Sequence, residues 1–332
     1  MNGLIAAALR GTGFSVPDRV VPNDWFTNYV ETSDEWIRTR TGIRERRFVG
    51  PDETAGTLAT AASRQALAAA GLTPDDLDMI VCATVTPDHM CPSTACVVQA
   101  ALGCRPIPAM DLSAACTGFL YALSVGEQFI RTRSAQNILV IGTDILSRTI
   151  DLTDRNSCIL FGDGAGAVVL SATDTPGRGI RSIKLFADGG AGGVGADKLI
   201  HLPARVTLQS PPPERQRNHI WLNGREVFKF AVRRMIELTQ DAIDECQRLG
   251  TEIKLLIPHQ VNQRIIDSAL DQTGFPADRV MVNLGNYGNT SGASVPIALD
   301  EAIRGGRAKP GDTVLLVAFG GGLTWGSVVL TV

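Results

Sequence analysis

The stretch Ile107–Phe129, IPAMDLSAACTGFLYALSVGEQF, sets the reading of the whole chain. Its apolar start, Ile107–Leu112, has the composition of a strand, and a run that is apolar on nearly every side of a helical wheel follows. A helix apolar all round has to be buried. Cys116 stands at the junction, on the first turn of that helix, where free backbone N–H groups and the positive end of the helix dipole favour a thiolate. The position predicts a nucleophile; the other role open to a cysteine there is that of a small core residue.

Outward from this junction the chain alternates strands with helices. Upstream lie a strand near Ile5–Gly11, a loop over Val16–Asn23 and the segment Thr32–Arg47, which opens with a short helix capped by Thr32 or Ser33 with Glu35 in its first turn. Thr57–Ala70 reads as an Ala-rich helix closed by Gly71, Asp78–Val85 as a strand, and Ser93–Leu102 as a helix capped by Ser93. Downstream, Asn137–Gly142 is a strand. The alternation then returns, with helices over Arg225–Leu249, Asn262–Thr273 and Ala293–Arg304. Pro296 is tolerable in the last of these because it is close to the helix start. Strands are expected at Lys254–Ile257, Arg279–Leu284, Asp312–Phe319 and Ser327–Val332. The repeated order predicts an α/β protein of two duplicated βαβ halves, 1–175 and 176–332, divided near Ala172–Gly179.

A duplication has consequences for chemistry. The second-half counterpart of the Cys116 junction is NLGNYGNTSGASVP, Asn283–Pro296, so two glycine-rich helix starts would face each other and Asn289 would lie near Cys116. His259, in IPHQVNQRII, ends the preceding strand, and strand ends are where α/β folds place their sites. Alone, His259 reads as a strand cap and Asn289 as a turn residue. With Cys116 they make a candidate site from three strand-to-helix junctions.

Composition bounds the partners. The 332 residues are 44% hydrophobic, enough for one large domain or two ordinary ones. A formal charge of −3 and 5% aromatic residues point to neither nucleic acid nor a membrane surface, so an acidic partner would need a local basic patch. Seven cysteines, an odd number without CxxC pairs, read as reduced thiols of a cytoplasmic protein. His89 with Cys82 and Cys91 fits no zinc spacing, and no metal is expected. The opening MNGLIAAALRGTGFSVP lacks a basic n-region and reads as a first strand rather than a signal peptide; no run is long enough to span a bilayer. GDGAGA, Gly162–Ala167, imitates a dinucleotide loop but runs into VVLS, a strand, so no nicotinamide cofactor is expected.

Five motifs, DLSAACTGF, LFGDGAGAVVL, PHQVNQRII, GNTSGASVP and AFGGGLTWG, resemble in order and spacing those of β-ketoacyl-acyl carrier protein synthase III, a family of condensing enzymes of fatty acid synthesis. The match runs over almost the whole chain and is weakest in Gly189–Asn218. The resemblance implies a thiolase-like fold of five α-β-α-β-α layers, usually as a homodimer. It implies that Cys116 takes the acyl group of an acyl-CoA as a new thioester, after which malonyl-acyl carrier protein loses CO₂ and its enolate attacks the acyl-enzyme. His259 and Asn289 would donate hydrogen bonds to the thioester oxygen as it takes on charge. The N–H groups of Cys116 and Gly321 would hold the tetrahedral oxyanion.

The same resemblance gives the substrate sites. Trp36 and Arg155 would sandwich the adenine of CoA, with Thr32 in the same signature, Arg40 on phosphate, and Gly224, Phe228 and Asn262 along the pantetheine arm. CoA is thus a substrate, with no tightly bound cofactor. Carrier docking would use Arg225, Lys229 and Arg233, spaced every fourth residue, with Arg234 beside them and Arg264 at another helix start. Family members often carry lysines where this chain has Asp271 and Gln272. Cys91 takes the place of a Phe that reaches across the dimer into the partner's acyl pocket, so longer acyl groups are expected. The alternative is a specialised relative serving secondary metabolism with an acceptor other than a carrier protein. A hydrolase, from the Cys-His-Asn of papain-like proteases, would instead need a cleft open to water.

Overall fold

Strands apolar on both faces need cover on both sides, and that requirement builds the layers here. In the strand Asn137–Ile145, Ile138 and Val140 face one core while Leu139 and Ile141 face another. In Thr313–Gly320, Val314, Leu316 and Ala318 share the first of these cores, and Leu315, Val317 and Phe319 face a third. Alternation with period two thus places each strand between two layers of helices.

The structure is a computed structural model describing residues 5–192, 200–202 and 219–332, so the stretch 210–218 lies outside the described residues. The first part of the chain runs β1 (Ala6–Ser15), β2 (Val20–Pro22), α1 (Asp34–Thr41), β3 (Glu45–Arg47), α2 (Ala55–Ala70), β4 (Met79–Ala83), α3 (Thr94–Leu102), β5 (Ala109–Leu112), α4 (Gly118–Arg131), β6 (Asn137–Ile145), α5 (Arg155–Cys158) and β7 (Asp163–Thr173). The second part runs β8 (Gly179–Ala187), α6 (Gly189–Gly192), β9 (Ile200–His201), β10 (Trp221–Leu222), α7 (Gly224–Arg248), β11 (Ile253–Pro258), α8 (Gln263–Thr273), α9 (Leu284–Tyr287), α10 (Ser294–Arg304), β12 (Thr313–Gly320) and β13 (Thr324–Thr331).

One sheet has the order β1-β7-β6-β4-β5 and the other β11-β12-β13-β8. Helices α4 and α10 fill the space between the sheets; α2 and α3 cover the outer face of the first, and α7 and α8 that of the second. This is the five-layer α-β-α-β-α thiolase-like architecture. The alanines of α2, buried at 55, 59, 62, 66 and 70, let that helix sit close on β1. Among the described residues no helix is long and apolar enough to cross a membrane.

Several elements differ from expectation. The loop at Val16–Asn23 contains β2, which pairs with β3. The expected strand at Arg279–Leu284 shrinks to one parallel bridge, Leu256 to Val280, because Gln260 Oε1 accepts the N–H groups of Asn283 and Leu284. Ser33, rather than Thr32, caps α1, its Oγ accepting from Trp36 N. The helix after Cys116 is not buried all round: Gln128, Phe129 and Arg131 are exposed, so α4 presents an outer face to solvent.

Candidate active site

The Cys116 junction is a turn before the helix, not the first turn of α4. Ala115 is left-handed at φ +47°, a 3₁₀ turn spans Ala115–Thr117, and α4 starts at Gly118. From the second sheet, Thr324 Oγ1 donates to Ala114 O at 3.1 Å and meets Thr117 Oγ1 at 3.1 Å, fastening the turn. Gly320 lies against it so closely that a Cβ there would stand 2.8 Å from Cys116 N. Any side chain at 320 would push on Cys116.

His259 follows β11, its N–H donating to Val317 O at 2.7 Å. Its ring is 1% exposed, Nδ1 lies 2.6 Å from Ser294 Oγ, and Nε2 is buried without a partner. Gln260 N donates to the same Ser294 oxygen at 3.4 Å, so the hydroxyl proton is directed at Nδ1. That leaves the proton of a neutral ring on Nε2, pointing a donor at the cavity. Burial pushes the His259 pKa down to about 3, which keeps the ring neutral. An unfolded histidine binds a proton near 6.5, so His259 destabilises the native state progressively as pH falls from about 6.5 towards 3 and imposes no such cost above it. Urea midpoints measured from pH 7.5 to pH 5 are expected to fall less in His259→Gln than in the unaltered protein.

Asn289 is held from the other half. Its N–H donates to Leu160 O at 2.9 Å and its carbonyl accepts from Gly162 N at 3.0 Å, so LFGDG and GNTSG dock on one another. Its Oδ1 accepts from Ser291 N at 2.8 Å, which turns Nδ2 outward as a second donor. A Cβ on Gly142 of β6 would lie 2.3 Å from Gly292 O, so glycine is needed there for this loop to approach.

Cys116, His259, Asn289 and Gly321 line one cavity of about 770 Å³. The thiol does not behave as its place before a helix suggests: burial pushes it up to about 12. Cys116 is half-buried and faces the cavity, and desolvation of the thiolate outweighs what the backbone N–H and the Ser291 hydroxyl return.

Trp36, Arg40, Arg155, Gly224, Phe228 and Asn262 line the same cavity, whereas Thr32 does not; its Oγ1 is buried without a partner. The Arg155 guanidinium lies 4.7 Å from the Trp36 ring and donates to Glu31 O at 3.1 Å. An aromatic ring between them needs roughly 7 Å, two contacts of about 3.5 Å, so Arg155 must swing outward to admit adenine. Asn262 spends its amide on structure: Oδ1 accepts from Arg264 N, capping α8, and Nδ2 donates to Arg40 O at 3.1 Å.

The basic residues of α7 are less free than their spacing implies. Lys229 pairs with Glu226, and Arg233 and Arg234 both pair with Glu237. Arg234 also lies 4.2 Å from the Trp325 ring. Arg225 alone of the four docking candidates lines the cavity; Arg264 lies 6.0 Å from Phe228. Cys91 is exposed and lines no part of this chain's cavity. Sequence reading missed Ser294, whose only signal was its place five residues after Asn289 in GNTSGAS, and the close approach of Gly320, in AFGGG, to Cys116.

Two family models match: 3-oxoacyl-[acyl-carrier-protein] synthase III over residues 110–189, and the C-terminal part of the same enzyme over 243–332. The chain is 48% identical over 329 residues to a beta-ketoacyl-[acyl-carrier-protein] synthase III of Caldanaerobacter subterraneus, covering 98% of each. A protein of that name from Clostridium perfringens is 47% identical over 327 residues, again with 98% of each chain covered. Among solved structures, the 3-oxoacyl-[acyl-carrier-protein] synthase III of Aquifex aeolicus matches with a TM-score of 0.89 and 43% identity, covering 98% of this chain and 100% of the other. With Cys116, His259 and Asn289 converging on one cavity of a thiolase-like fold, the chain belongs to the beta-ketoacyl-[acyl-carrier-protein] synthase III family of condensing acyltransferases.

Proposed function

We propose that this enzyme starts fatty acid synthesis by joining an acyl group from acyl-CoA to malonyl-acyl carrier protein through an acyl-Cys116 intermediate. The observation that carries this is that one cavity of about 770 Å³ is lined both by Cys116, His259 and Asn289 and by Trp36, Arg40 and Arg155. Acyl-CoA enters with its adenine between Trp36 and Arg155 and its pantetheine arm past Gly224 and Phe228. The acyl carbon reaches Cys116, and the N–H groups of Cys116 and Gly321 receive the oxyanion. CoA leaves, and malonyl-carrier protein enters by the same mouth. His259 Nε2 and Asn289 Nδ2 then bind its thioester oxygen as CO₂ departs, and the enolate carbon attacks the acyl thioester. No tightly bound cofactor is needed. The relatives at 47–48% identity carry the synthase III name, which does not favour the specialised acyltransferase with another acceptor.

Carrier docking centres on Arg225 at the mouth, with Lys229, Arg233 and Arg264 adding to it once their acidic neighbours are displaced. The two sheets support the duplication into halves 1–175 and 176–332: β4, β6, β7 and β1 have their counterparts in β11, β12, β13 and β8. A homodimer is supported by β5, an edge strand with Met110 exposed, and by Met90, 82% exposed, beside Cys91. Seven free cysteines support a reducing, cytoplasmic setting.

The test is incubation with acyl-CoAs of rising length, with and without malonyl-carrier protein, followed by intact mass and peptide mapping. Acylation of Cys116 that clears as a β-ketoacyl-carrier product is expected; acylation that clears only with another acceptor would overturn the reading. Cys91→Phe in the same panel is expected to shift preference towards acetyl-CoA. Trp36→Ala is expected to raise KM for acyl-CoA roughly 2- to 30-fold, the equivalent of about 0.5–2 kcal/mol of stacking, with little change in kcat.

A further inference from the structure

Cys116 and Gly321 reach one cavity from different sheets, the first from the turn that follows β5 and the second from the bend that joins β12 to β13. Two N–H groups hold a tetrahedral oxyanion only when both stand about 2.7–3.1 Å from the oxygen that develops. Their spacing therefore has to be set by something that touches both pieces of chain.

One side chain does. Thr324, the first residue of β13, is 8% exposed, and its backbone is fixed in the sheet between Gly320 of β12 and Ala187 of β8. Its Oγ1 lies 3.1 Å from Ala114 O, at the Cys116 turn, and 3.1 Å from Gly321 O, in the bend. Thr117 Oγ1, also 3.1 Å away, donates its own proton to Thr324 O at 3.3 Å, so the Thr324 hydroxyl keeps its proton for the two carbonyls. Among the described residues no other side chain hydrogen-bonds to carbonyls of both pieces. Gly320 sets the opposite limit, because its missing Cβ already brings the bend as near to Cys116 N as backbone can come. A tie is needed there: Ala115, beside the cysteine, is held at φ +47°, a conformation that a residue other than glycine keeps only when its surroundings impose it.

We propose that Thr324 is a positioning residue for acyl transfer, its hydroxyl fixing the spacing of the Cys116 and Gly321 N–H groups through Ala114 O and Gly321 O. It acts through the two backbones rather than on substrate. The role rests on the acyl-transfer reading and singles out the steps that pass through a tetrahedral oxyanion on the acyl-Cys. Decarboxylation does not share it, since Ser294 orients His259 and Ser291 N orients Asn289.

Thr324→Val removes the hydroxyl and keeps the branched shape. The maximal rate of Cys116 acylation by acyl-CoA is expected to fall about 10- to 100-fold at an unchanged half-saturating concentration, because misplaced donors weaken the transition state and not the bound substrate. Acetylation of Cys116 by p-nitrophenyl acetate, an acyl donor without CoA, should fall by the same factor. Thr324→Ser returns the hydroxyl and should recover both rates to within about threefold of the unaltered protein. Alkylation of Cys116 by iodoacetamide forms no oxyanion, so it should stay within about twofold in both variants, as should decarboxylation of malonyl-carrier protein. Acylation of Thr324→Val at the unaltered rate would overturn the role. Alkylation and decarboxylation falling as far as acylation would also overturn it, since that is the pattern of a generally disordered site, and a slow Thr324→Ser would overturn the part given to the hydroxyl. A protein acetylated by the ester with the expected dependence on Thr324, but by no acyl-CoA, would sink the synthase reading and leave the role of Thr324 standing. Acylation by neither donor would overturn both.

Discussion

Cys116→Ala is expected to form no acyl-enzyme with any acyl-CoA and to lose at least about 10⁴-fold in condensation. The loss follows from the route itself, because without a sulfur at 116 the acyl group has nowhere to wait while CoA leaves and the carrier arrives. The fold should be untouched: Cys116 lies in a turn held by Thr324 and Thr117, and those bonds involve hydroxyls and the carbonyl of Ala114 rather than the thiol. What should survive is decarboxylation of malonyl-carrier protein. On the proposed route its thioester oxygen is met by His259 Nε2 and Asn289 Nδ2, and neither side chain is oriented by Cys116: Ser294 sets the first and Ser291 N the second. Intact mass after acyl-CoA, read beside CO₂ release from malonyl-carrier protein, checks both halves. Residual acylation at another residue would show that the nucleophile had been misassigned.

The reverse pattern is expected of His259→Ala and Asn289→Ala. Each removes one preorganised donor from a developing oxyanion, which costs about 10²–10³ in rate, or roughly 3–4 kcal/mol. Acylation of Cys116 should remain within about tenfold, since on the proposed route the backbone N–H groups of Cys116 and Gly321 serve that step and stay in place. The acyl-enzyme should therefore accumulate and persist with malonyl-carrier protein present. The donors bind one oxygen together, so the double variant should lose less than the product of the two single losses. Rapid-quench measurement of acyl-enzyme formation and decay separates the steps; equal losses in both would mean that His259 and Asn289 act on the acylation as well.

Much of this was legible along the chain, for reasons that are local. Period-two apolar runs mark strands such as β6 and β12 because their side chains alternate between two cores, and caps such as Ser93 and Gly71 mark helix ends because a helix leaves its terminal N–H and C=O groups unpaired. The repeated order of elements, with the five motifs, was enough to name the family and to bring Cys116, His259 and Asn289 to one site. What the chain could not show was set by partners distant in sequence. The Arg279–Leu284 segment has strand composition, yet the side chain of Gln260 takes its N–H groups. The α7 basic residues share a spacing, yet Glu226 and Glu237 hold Lys229 and Arg233. Helix position argued for a lowered thiol pKa at Cys116, but desolvation depends on the whole surrounding packing and drives it to about 12. The layers and the family could be read from residue order, because periodicity and motif are written locally. Which way the His259 ring and the Asn289 amide point took the folded molecule to settle, because the first depends on Ser294 meeting the ring across the fold and the second on the N–H of Ser291 in the tight turn that follows.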